Sequence, residues 1–560
     1  MIPVSRILEA DVAIVGGGIG GAMAAISAAE SGAKRVLVLE KCHTRRSGSG
    51  ASGNDHFVCY IPEVHGDDVE PLLDLMMHSF VGLGKDRQLM RLQLLESFDL
   101  VKKWESWGID MRPLGHWNFQ GHTLPGMPCP FLKMNGRNQK KVLAEQMNKH
   151  GVSVLNHHPV VELATENGRI CGALALDTSR EEPSFVLVKA PNVIIATGLT
   201  HRLYVNATTP NFLFNTSHCP NNAGGQALGW RAGAAMVNME LPFCHAGTKY
   251  FQRAGKGTWI GVYRYPDGTP LGPFVTKPDP KYGDPTSDVW NTAFLDVMAN
   301  GRGPAYLDCS QNTPENLAYM RKAMFDEGLS ALLDYMDDKG IDPARHAVEF
   351  TRFEPILMGR GLDVDKDGRT TLSGLYAAGD VSGNFGSGVA FAAWLGWRAG
   401  RAAASDVPAL SATPLEQNPA IEAKMRQLSS FMERSNGTDW KDANIALTQI
   451  MSDYAAVGPY HVRSATLLHA GLAYLKQLRA ETDALLRTTT AHELMRASEV
   501  LDLFDCAEAI MHSALERKES RGLHKRADYT FTNPLLSTKM LDIFKKDDGS
   551  VVTAWRDMRI

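Results

Sequence analysis

The chain lacks the cysteine pattern of an iron–sulfur protein or of a small disulfide-linked domain. Its eight cysteines are spread over 560 residues, and no two of them form a C-x-x-C pair. Iron–sulfur clusters and zinc sites built on cysteine need closely spaced ligands, so we expect no metal site of this kind. Scattered reduced thiols are typical of the cytoplasm, which is where we expect the protein.

Charge and hydrophobicity exclude two further classes of partner. The net charge of −4 gives no electrostatic attraction to nucleic acid or to an acidic membrane surface. No apolar run reaches the ~20 residues needed to span a bilayer, and the opening residues MIPVSRILEADVAIVG contain no secretory signal. We therefore expect no nucleic-acid partner and no direct membrane insertion.

What the chain does contain is a dinucleotide-binding pattern near its start. Residues 11–41 read DVAIVGGGIGGAMAAISAAESGAKRVLVLEK, which predicts a strand, a tight turn, a helix and a second strand. Gly16, Gly18 and Gly21 fit G-x-G-x-x-G; they allow the turn, the approach of a pyrophosphate and close helix packing, respectively. Glu40 ends the second strand, where a carboxylate accepts hydrogen bonds from ribose hydroxyls. This pattern alone does not separate FAD from NAD.

Later segments favour FAD, because the pieces of a flavin domain recur far downstream in the expected order. A loop rich in serine and glycine follows Glu40, two later strands end in Ala-Thr-Gly and Ala-Gly-Asp, and a helix begins near residue 389. The N-terminus of that helix would stabilise negative charge on a reduced flavin. Besides the four residues above, we expect the cofactor to contact Lys41, Ser47, Gly48, Ser49, Val161, Ala196, Thr197, Gly198, Asp380, Ser387, Gly388 and Val389.

The pattern of the whole chain predicts an α/β protein. We expect a Rossmann-like FAD-binding domain with an inserted α+β capping domain and a C-terminal helical bundle. The predicted boundaries are 1–240 plus 353–410 for the FAD-binding domain, 241–352 for the cap, 411–518 for the helices and 519–560 for a C-terminal segment.

Taken together, these motifs resemble the flavoprotein superfamily of fumarate reductase and succinate dehydrogenase. The most specific match is ERKESRGLHKRADY at 516–529, which is similar to that superfamily's R-x-E-S-R-G-x-H-x-R-x-D-Y signature. A solvated, charged helix end is the alternative interpretation of this run. The resemblance covers nearly the whole chain and implies the same fold and an FAD-dependent oxidoreductase activity.

Within the superfamily, the finer match is to the alpha subunit of adenylylsulfate reductase. The segment EPILMG at 354–359 resembles its E-P-x-x-M-G, and Asn222-Ala223-Gly224 resembles its N-A-G. Its S-S-G turn is similar to Gly386-Ser387-Gly388, and the end of the chain also looks like its tail. The resemblance implies a flavoprotein subunit that exchanges electrons between a small anionic substrate and a separate iron–sulfur protein.

Four departures from the superfamily's patterns affect the expected chemistry. Gly48 stands where covalent-flavin members carry a histidine, so the FAD should be noncovalent. Pro355 replaces the histidine of the fumarate reductase H-Y-T-M-G-G motif, and Asn384 falls where its dicarboxylate-binding arginine is expected. Adenylylsulfate reductase carries a histidine two residues after the glycine of E-P-x-x-M-G, and that position is Gly361 in this chain. Neither family's substrate can therefore be transferred to this chain.

An anionic substrate above a flavin needs cationic groups and a proton donor. The candidates are Arg360, His245, Arg253, Arg521 and His524. Each has a structural alternative: His245 as a hydrogen-bonded core histidine, Arg253 as a surface residue, Arg360 without any substrate contact, and Arg521 and His524 as anchors of the C-terminal segment.

Three functions remain open from the sequence. The leading one is the flavoprotein subunit of an oxidoreductase with an iron–sulfur partner. The second is a stand-alone enzyme that acts on a small carboxylic acid, similar to fumarate reductase or aspartate oxidase. The third is a non-enzymatic electron-transfer flavoprotein.

Overall fold

The structure of the 560-residue chain is a computed structural model. It describes residues 1–51, 53–79, 82–121, 123, 126–205, 224–249, 258–272, 275–282, 297, 300–457, 462–546 and 548–560.

Nineteen strands and thirteen helices lie within these ranges. The strands are β1 Val4–Glu9, β2 Val12–Val15, β3 Val36–Glu40, β4 His56–Val58, β5 Phe131–Lys133, β6 Ser153–Asn156, β7 Val160–Glu166, β8 Arg169–Asp177, β9 Ser184–Lys189, β10 Asn192–Ile195, β11 Met236–Val237, β12 Ala246–Thr248, β13 Val262–Arg264, β14 Ala305–Asp308, β15 Val348–Arg352, β16 Gly361–Leu362, β17 Leu375–Ala377, β18 Lys539–Lys545 and β19 Val551–Asp557. The helices are α1 Ile19–Glu30, α2 Pro62–His65, α3 Glu70–His78, α4 Arg87–Ser106, α5 Gln139–Lys149, α6 Gln226–Arg231, α7 Pro314–Asp326, α8 Ser330–Asp338, α9 Val389–Ser405, α10 Pro419–Glu433, α11 Trp440–Tyr454, α12 Ala465–Leu485 and α13 Ala491–Glu516.

A five-stranded parallel sheet forms the centre of the fold, in the order β17-β10-β2-β3-β6. Strands β2, β3 and β10 are short, apolar and fully buried, as expected for a parallel sheet covered on both faces. The chain passes from β2 through α1 to β3 on one side of the sheet, while β10 pairs with β2 on the other side. Ligands bind where the strand order reverses in this way, so the crevice beyond β2 and β10 is a binding site by topology.

Helices α1 and α9 pack against each other closely enough to require glycine. A Cβ atom at Gly396 would lie 2.2 Å from the Gly20 carbonyl oxygen, and one at Gly400 would lie 2.1 Å from that of Ala24. Since both helices begin at the carboxyl end of a sheet strand, their packing places both N-termini beside the crevice.

Smaller sheets surround the central one. Strands β1, β9, β8 and β7 form a mixed sheet, and β4 and β5 form an antiparallel pair. Strands β16, β11, β18 and β19 form an antiparallel sheet that includes the C-terminal hairpin. The predicted cap region contains the antiparallel sheet β12-β15-β14-β13 together with α7 and α8. Its buried side chains, from Ala246 to Phe350, form a hydrophobic cluster separate from the main core.

Helices α10 to α13 cover the remaining side of the molecule, and α13 is the most deeply buried of them. The α/β fold with an α+β insertion and a C-terminal helical region is confirmed, while the four domain boundaries remain predictions. Within the described ranges, no helix has both the length and the apolarity needed to cross a membrane.

Candidate functional site

A large cavity lies beyond the carboxyl ends of β2, β3 and β10. Its volume is about 1030 Å³, at the upper end of the ~300–1,000 Å³ found for small-molecule and cofactor sites. It is lined by residues of the central sheet's turns, of the loop after β3, of α9 and α13, and of the segment after α7. Both helix N-termini described above open into it.

The glycine turn after β2 forms one wall. Gly16 has a φ of +103°, which favours glycine, and a Cβ atom there would lie 2.6 Å from the Ala196 carbonyl oxygen. At Gly21, a Cβ atom would lie 1.8 Å from the Gly16 carbonyl oxygen, so Gly21 serves helix packing and does not line the cavity. A Cβ atom at Gly18 would meet no heavy atom of the described chain within 4 Å; Gly18 instead lines the cavity.

Glu40 lies beside this turn and is buried. Its carboxylate accepts hydrogen bonds from the backbone N–H of Gly17 at 2.6 Å and of Cys42 at 2.7 Å. A carboxylate oxygen accepts more than one hydrogen bond, so these contacts orient Glu40 and leave acceptor capacity for ribose hydroxyls.

The loop after β3 brings Lys41, Gly48 and Ser49 to the cavity. Gln139, at the start of α5, donates through Nε2 to the Gly50 carbonyl oxygen at 3.0 Å and so anchors the loop. Ser47 is buried next to the cavity lining rather than part of it.

The other predicted cofactor contacts meet the cavity from the opposite side: Val161, Ala196, Thr197, Gly198, Asp380, Ser387, Gly388 and Val389. The Asp380 carboxylate accepts the Gly388 N–H at 2.9 Å, which holds the turn before α9. Burial raises the pKa of Asp380, although this hydrogen bond and the charge of Lys85 oppose the shift. The Val161 carbonyl oxygen already accepts from Arg231 Nη2 at 3.0 Å.

Helix α13 contributes residues that the sequence analysis missed: Met495, Ser498, Glu499 and Asp502 line the cavity. Burial acts to raise the pKa of Glu499, but the charges of Lys41, Arg202 and Arg496 lower it to about 2. Burial raises the pKa of Asp502 to about 6 against the charge of Arg231. The sequence contained one signal for these residues. Acidic side chains recur at 499, 502 and 505, and a spacing of three places them on one face of a helix.

The end of the cavity near the predicted cap has a different character. His245, Phe243 and Met358 line one side of it, and Glu327 and Leu329, from the segment after α7, line another. The rings of Phe243 and His245 meet edge to face, with centroids 4.6 Å apart. Asp55 and His56 also line this end. Of the four predicted catalytic residues within the described ranges, His245 is the one that lines the cavity.

Arg360 does not line the cavity and is 1 % exposed. Its guanidinium donates to the carbonyl oxygens of Leu241 at 2.6 Å, Gly359 at 2.8 Å and Leu83 at 2.9 Å. Burial lowers its pKa to about 10, with a further contribution from Arg517. The structure thus corrects the expected substrate contact: every nitrogen of this guanidinium is engaged by backbone, and Arg360 joins three loops.

Arg521 and His524 are also absent from the described cavity lining. Arg521 pairs with Glu519 at 2.8 Å. His524 Nδ1 accepts from Arg463 at 2.8 Å, so its proton lies on Nε2, which donates to the Arg517 carbonyl oxygen at 3.0 Å. Burial, together with these arginines, lowers the pKa of His524 well below its ordinary value. Both residues anchor the C-terminal segment. Arg253 lies outside the described residues.

The residues present fit an FAD. Gly18 leaves space where a pyrophosphate would approach, and two helix N-termini present N–H groups to the same cavity. The buried hydroxyls of Thr197 and Ser498 line the cavity, and within the described chain neither has a hydrogen-bond partner. Since buried polar groups are almost always satisfied, these hydroxyls favour a polar ligand in the cavity.

Comparison with protein families agrees with this geometry. Residues 11–396 match the model of the FAD binding domain, and residues 444–555 match the model of the fumarate reductase flavoprotein C-terminus. The chain belongs to the FAD binding domain family. It is an FAD-dependent oxidoreductase of the flavoprotein superfamily that includes fumarate reductase, and both the predicted superfamily and the predicted cofactor are confirmed.

Individual relatives extend over nearly the whole chain. One subunit of the fumarate reductase (CoM/CoB) of Methanothermobacter marburgensis is 26 % identical and covers 96 % of this chain and 98 % of its own. L-aspartate oxidase 1 of Ralstonia nicotianae is 26 % identical, covering 94 % and 96 %. The structure of adenylylsulfate reductase from Archaeoglobus fulgidus superposes with a TM-score of 0.82 at 20 % identity, covering 100 % and 97 %, which shows the shared fold.

The described part of the chain contains no group of three or more His, Cys, Asp or Glu side chains arranged to hold a metal ion.

Proposed function

We propose that the cavity holds one noncovalent FAD and that a small anionic substrate meets the flavin at the end near the cap. The single observation that carries the proposal is one continuous cavity, which begins at the glycine turn and Glu40 and ends between His245 and Glu327.

Within this cavity, each part of the cofactor has a matching wall. Gly18 and the N-terminus of α1 would hold the pyrophosphate, and Glu40 the adenosine ribose. Ser387, Gly388 and Val389, at the N-terminus of α9, would hold the flavin ring. Noncovalent binding rests on Gly48. Acid precipitation tests this: we expect the flavin in the supernatant, and flavin retained on the precipitated chain would contradict it.

The anionic substrate is supported by the reductases and oxidase named above, whose names specify fumarate, adenylylsulfate and L-aspartate. Among the described lining residues, the only lysine or arginine is Lys41, and it pairs with Glu499 at 2.6 Å. His245 is the candidate group at the cap end within the described lining, and Arg253, outside the described ranges, is the candidate for a permanent positive charge.

A spectroscopic titration tests the substrate proposal. Fumarate, adenylylsulfate and L-aspartate are each added to the oxidised protein while the visible flavin band is recorded. We expect a saturable shift with at least one of them and a loss of that shift in R253Q. The matched control is R345Q, because Arg345 is exposed. Equal binding by R253Q and R345Q would exclude Arg253, and no shift with any acid would exclude this substrate class.

We further propose that the electrons pass between the flavin and a separate iron–sulfur protein. The chain has no cysteine cluster of its own, and its fumarate reductase relative is named as a subunit. Anaerobic isolation of the tagged chain from its own cells, followed by iron analysis and by photoreduction, tests this. We expect a co-purifying iron–sulfur protein whose spectrum is reduced after the flavin. A chain fully active without such a partner would contradict the proposal.

A stand-alone oxidase is the second candidate, because an L-aspartate oxidase is similar over 94 % of this chain. It requires the reduced flavin to react rapidly with oxygen and to form hydrogen peroxide, which a peroxide assay measures directly. The non-enzymatic alternative is not favoured, since the relatives above are named as reductases and an oxidase.

We also propose a cytoplasmic location. Among the described cysteines, which are all except Cys219, none is joined to another in a disulfide, as in a reducing compartment. Fractionation of the source cells tests this, and recovery outside the cytoplasm would contradict it.

A further inference from the structure

Three ionisable side chains form a chain of contacts at the cap end of the cavity. His56 opens β4, Lys133 closes β5, and the two residues are paired in the strand register. Asp55 lies between them: its Oδ1 is 2.6 Å from His56 Nδ1, and its Oδ2 is 2.6 Å from Lys133 Nζ. Asp55 and His56 line the flavin cavity.

The charge state of Asp55 fixes the direction of its hydrogen bond to His56. Burial acts to raise the pKa of Asp55, but the charges of Lys133 and His56 hold it well below its ordinary value. An ionised carboxylate only accepts hydrogen bonds, so His56 Nδ1 carries a proton. The second ring nitrogen, Nε2, lies on the edge of the ring opposite to Asp55.

Asp55 and His56 differ in how far their side chains are buried. The Asp55 side chain is 2 % exposed, whereas that of His56 is 17 % exposed. The His56 ring packs edge-on against Phe131, with centroids 5.3 Å apart, so the ring is held by a carboxylate at one edge and an aromatic ring beside it. This is the arrangement in which a carboxylate orients an imidazole for proton transfer.

The residues around this group place it under the cap. A Cβ atom at Gly53 would lie 2.6 Å from the Glu327 carbonyl oxygen, so the segment after α7 closes directly on the loop before β4. Thr258 donates to the Glu327 carboxylate. The titratable groups that act on Asp55 from other elements are Lys133 and Tyr319, and Glu327 acts on both of these.

We propose that His56 is the acid–base catalyst of this flavoenzyme, with Asp55 and Lys133 as its positioning residues. The proposal rests on the proposed function in that the substrate must meet the flavin at the cap end of the cavity. When bound, the flavin supplies hydride chemistry, that is, the transfer of two electrons together with one proton. In substrate oxidation, Nε2 of His56 takes up the remaining proton; in substrate reduction, it returns one.

A modification experiment that needs no substrate gives the first test. The FAD-loaded protein is treated with diethyl pyrocarbonate between pH 5 and 8, and modification of the peptide containing His56 is measured by mass spectrometry. Because Asp55 stabilises the imidazolium, we expect D55N to lower the midpoint of modification by at least ~1 pH unit. K133M removes a positive charge, and its midpoint should move upward, which keeps the test decisive if D55N does not fold.

An unmodified His56 at every pH, or a midpoint that neither variant moves, would overturn the proposal. Since this readout is independent of turnover, its outcome is separate from failure of the substrate proposal above.

Flavin kinetics give the second test. We expect H56Q to retain its FAD and its visible spectrum. Its flavin should exchange electrons ~10²–10⁴-fold more slowly with whichever of fumarate, adenylylsulfate and L-aspartate shifts the visible band, and without the pH dependence of the unsubstituted protein. The matched control is H150Q, because His150 also pairs with a carboxylate, Glu30 at 3.2 Å, outside the cavity lining. Loss of FAD from H56Q, or an unchanged rate, would show that the three residues only join β4 to β5.

Discussion

At the residue scale, the three glycines of the first turn perform three different tasks. Gly16 needs a positive φ, Gly21 needs the absence of a Cβ atom against a backbone oxygen, and Gly18 needs open space. Gly16 and Gly21 are therefore required by the fold, whereas Gly18 is required by the cofactor.

Alanine substitutions at two of these positions should therefore fail in different ways. G18A has a favourable φ of −66° and open space, so we expect a normal fold and an FAD dissociation constant at least ~10-fold higher, a loss of ~1.4 kcal/mol. In G21A, the new methyl would meet the Gly16 oxygen, and we expect destabilisation by ~3 kcal/mol or more. Thermal unfolding of the apoproteins and FAD titration of each check this. A destabilised G18A with unchanged FAD affinity would contradict the assignment.

The sequence predicts such residues well when the reason for them is local. The glycine spacing, Glu40 and the strand ends all lie within one βαβ unit or directly after a strand, and the structure places nearly all of them at the cavity. Arg360 shows where local reasoning stops. Its position after E-P-x-x-M-G suggested substrate contact, but the direction of the side chain depends on carbonyl oxygens of Leu83 and Leu241, which are far away in the chain.

At the scale of elements, α13 connects the helical region to the cofactor site. The helix packs in the core, and its buried face also carries Glu499, which pairs with Lys41 directly after β3. Glu499 contacts Lys41 at 2.6 Å and Arg496 at 3.0 Å, and it also accepts from Arg202. Lys41 and Arg202 come from segments far away in the chain, so their ion pairs with Glu499 depend on tertiary packing, which the helical pattern alone does not specify.

The pH dependence of stability should reveal this connection. The pKa of Glu499 is lowered from 4.5 to about 2, so its contribution to stability is full above pH ~4.5 and is lost as the pH falls toward 2. We expect E499Q to reduce the free energy of unfolding by ~3 kcal/mol at pH 7, and the difference from the unsubstituted protein to shrink below pH 4.5.

Denaturant unfolding of both proteins at pH 7 and at pH 3.5 measures this difference. The control is E422Q, whose exposed pair with Arg426 should contribute no more than ~0.5 kcal/mol. A loss in E499Q that is the same at both pH values would exclude the charge network as its cause.

At the scale of the whole molecule, the C-terminal hairpin is tied to the flavin-binding part of the chain. Arg556, in β19, pairs with Asp86 at 3.0 Å and with Asp363 at 2.7 Å. Asp86 also accepts from Asn384 Nδ2 at 2.7 Å. Asn384 is therefore a structural link at the position where the resemblance expects a substrate-binding arginine.

Breaking this contact should affect both stability and cofactor retention. R556M leaves the buried carboxylates of Asp86 and Asp363 with less compensation, and we expect a loss of ~3 kcal/mol together with faster FAD release. K539M removes an exposed pair with Asp557 in the same hairpin and should cost less than ~1 kcal/mol. Thermal unfolding and flavin fluorescence of the two variants measure these effects. Equal behaviour of R556M and K539M would show that the hairpin is independent of the flavin domain.

The overall architecture was predictable because strands, helices and turns follow local patterns and a strong family resemblance. The cap end of the cavity was not, because it joins the loop at 53–56, β5 and the segment after α7, which only tertiary packing brings together.

The most direct measurement is anaerobic reoxidation of the photoreduced protein. Fumarate and adenylylsulfate are mixed with the reduced flavin separately, and the visible band is followed. We expect at least one of these small acids to restore the oxidised spectrum with one molecule consumed per flavin. A reduced flavin that none of them reoxidises, but that air reoxidises at once with formation of peroxide, would contradict the role of a reductase subunit, and it would favour the oxidase.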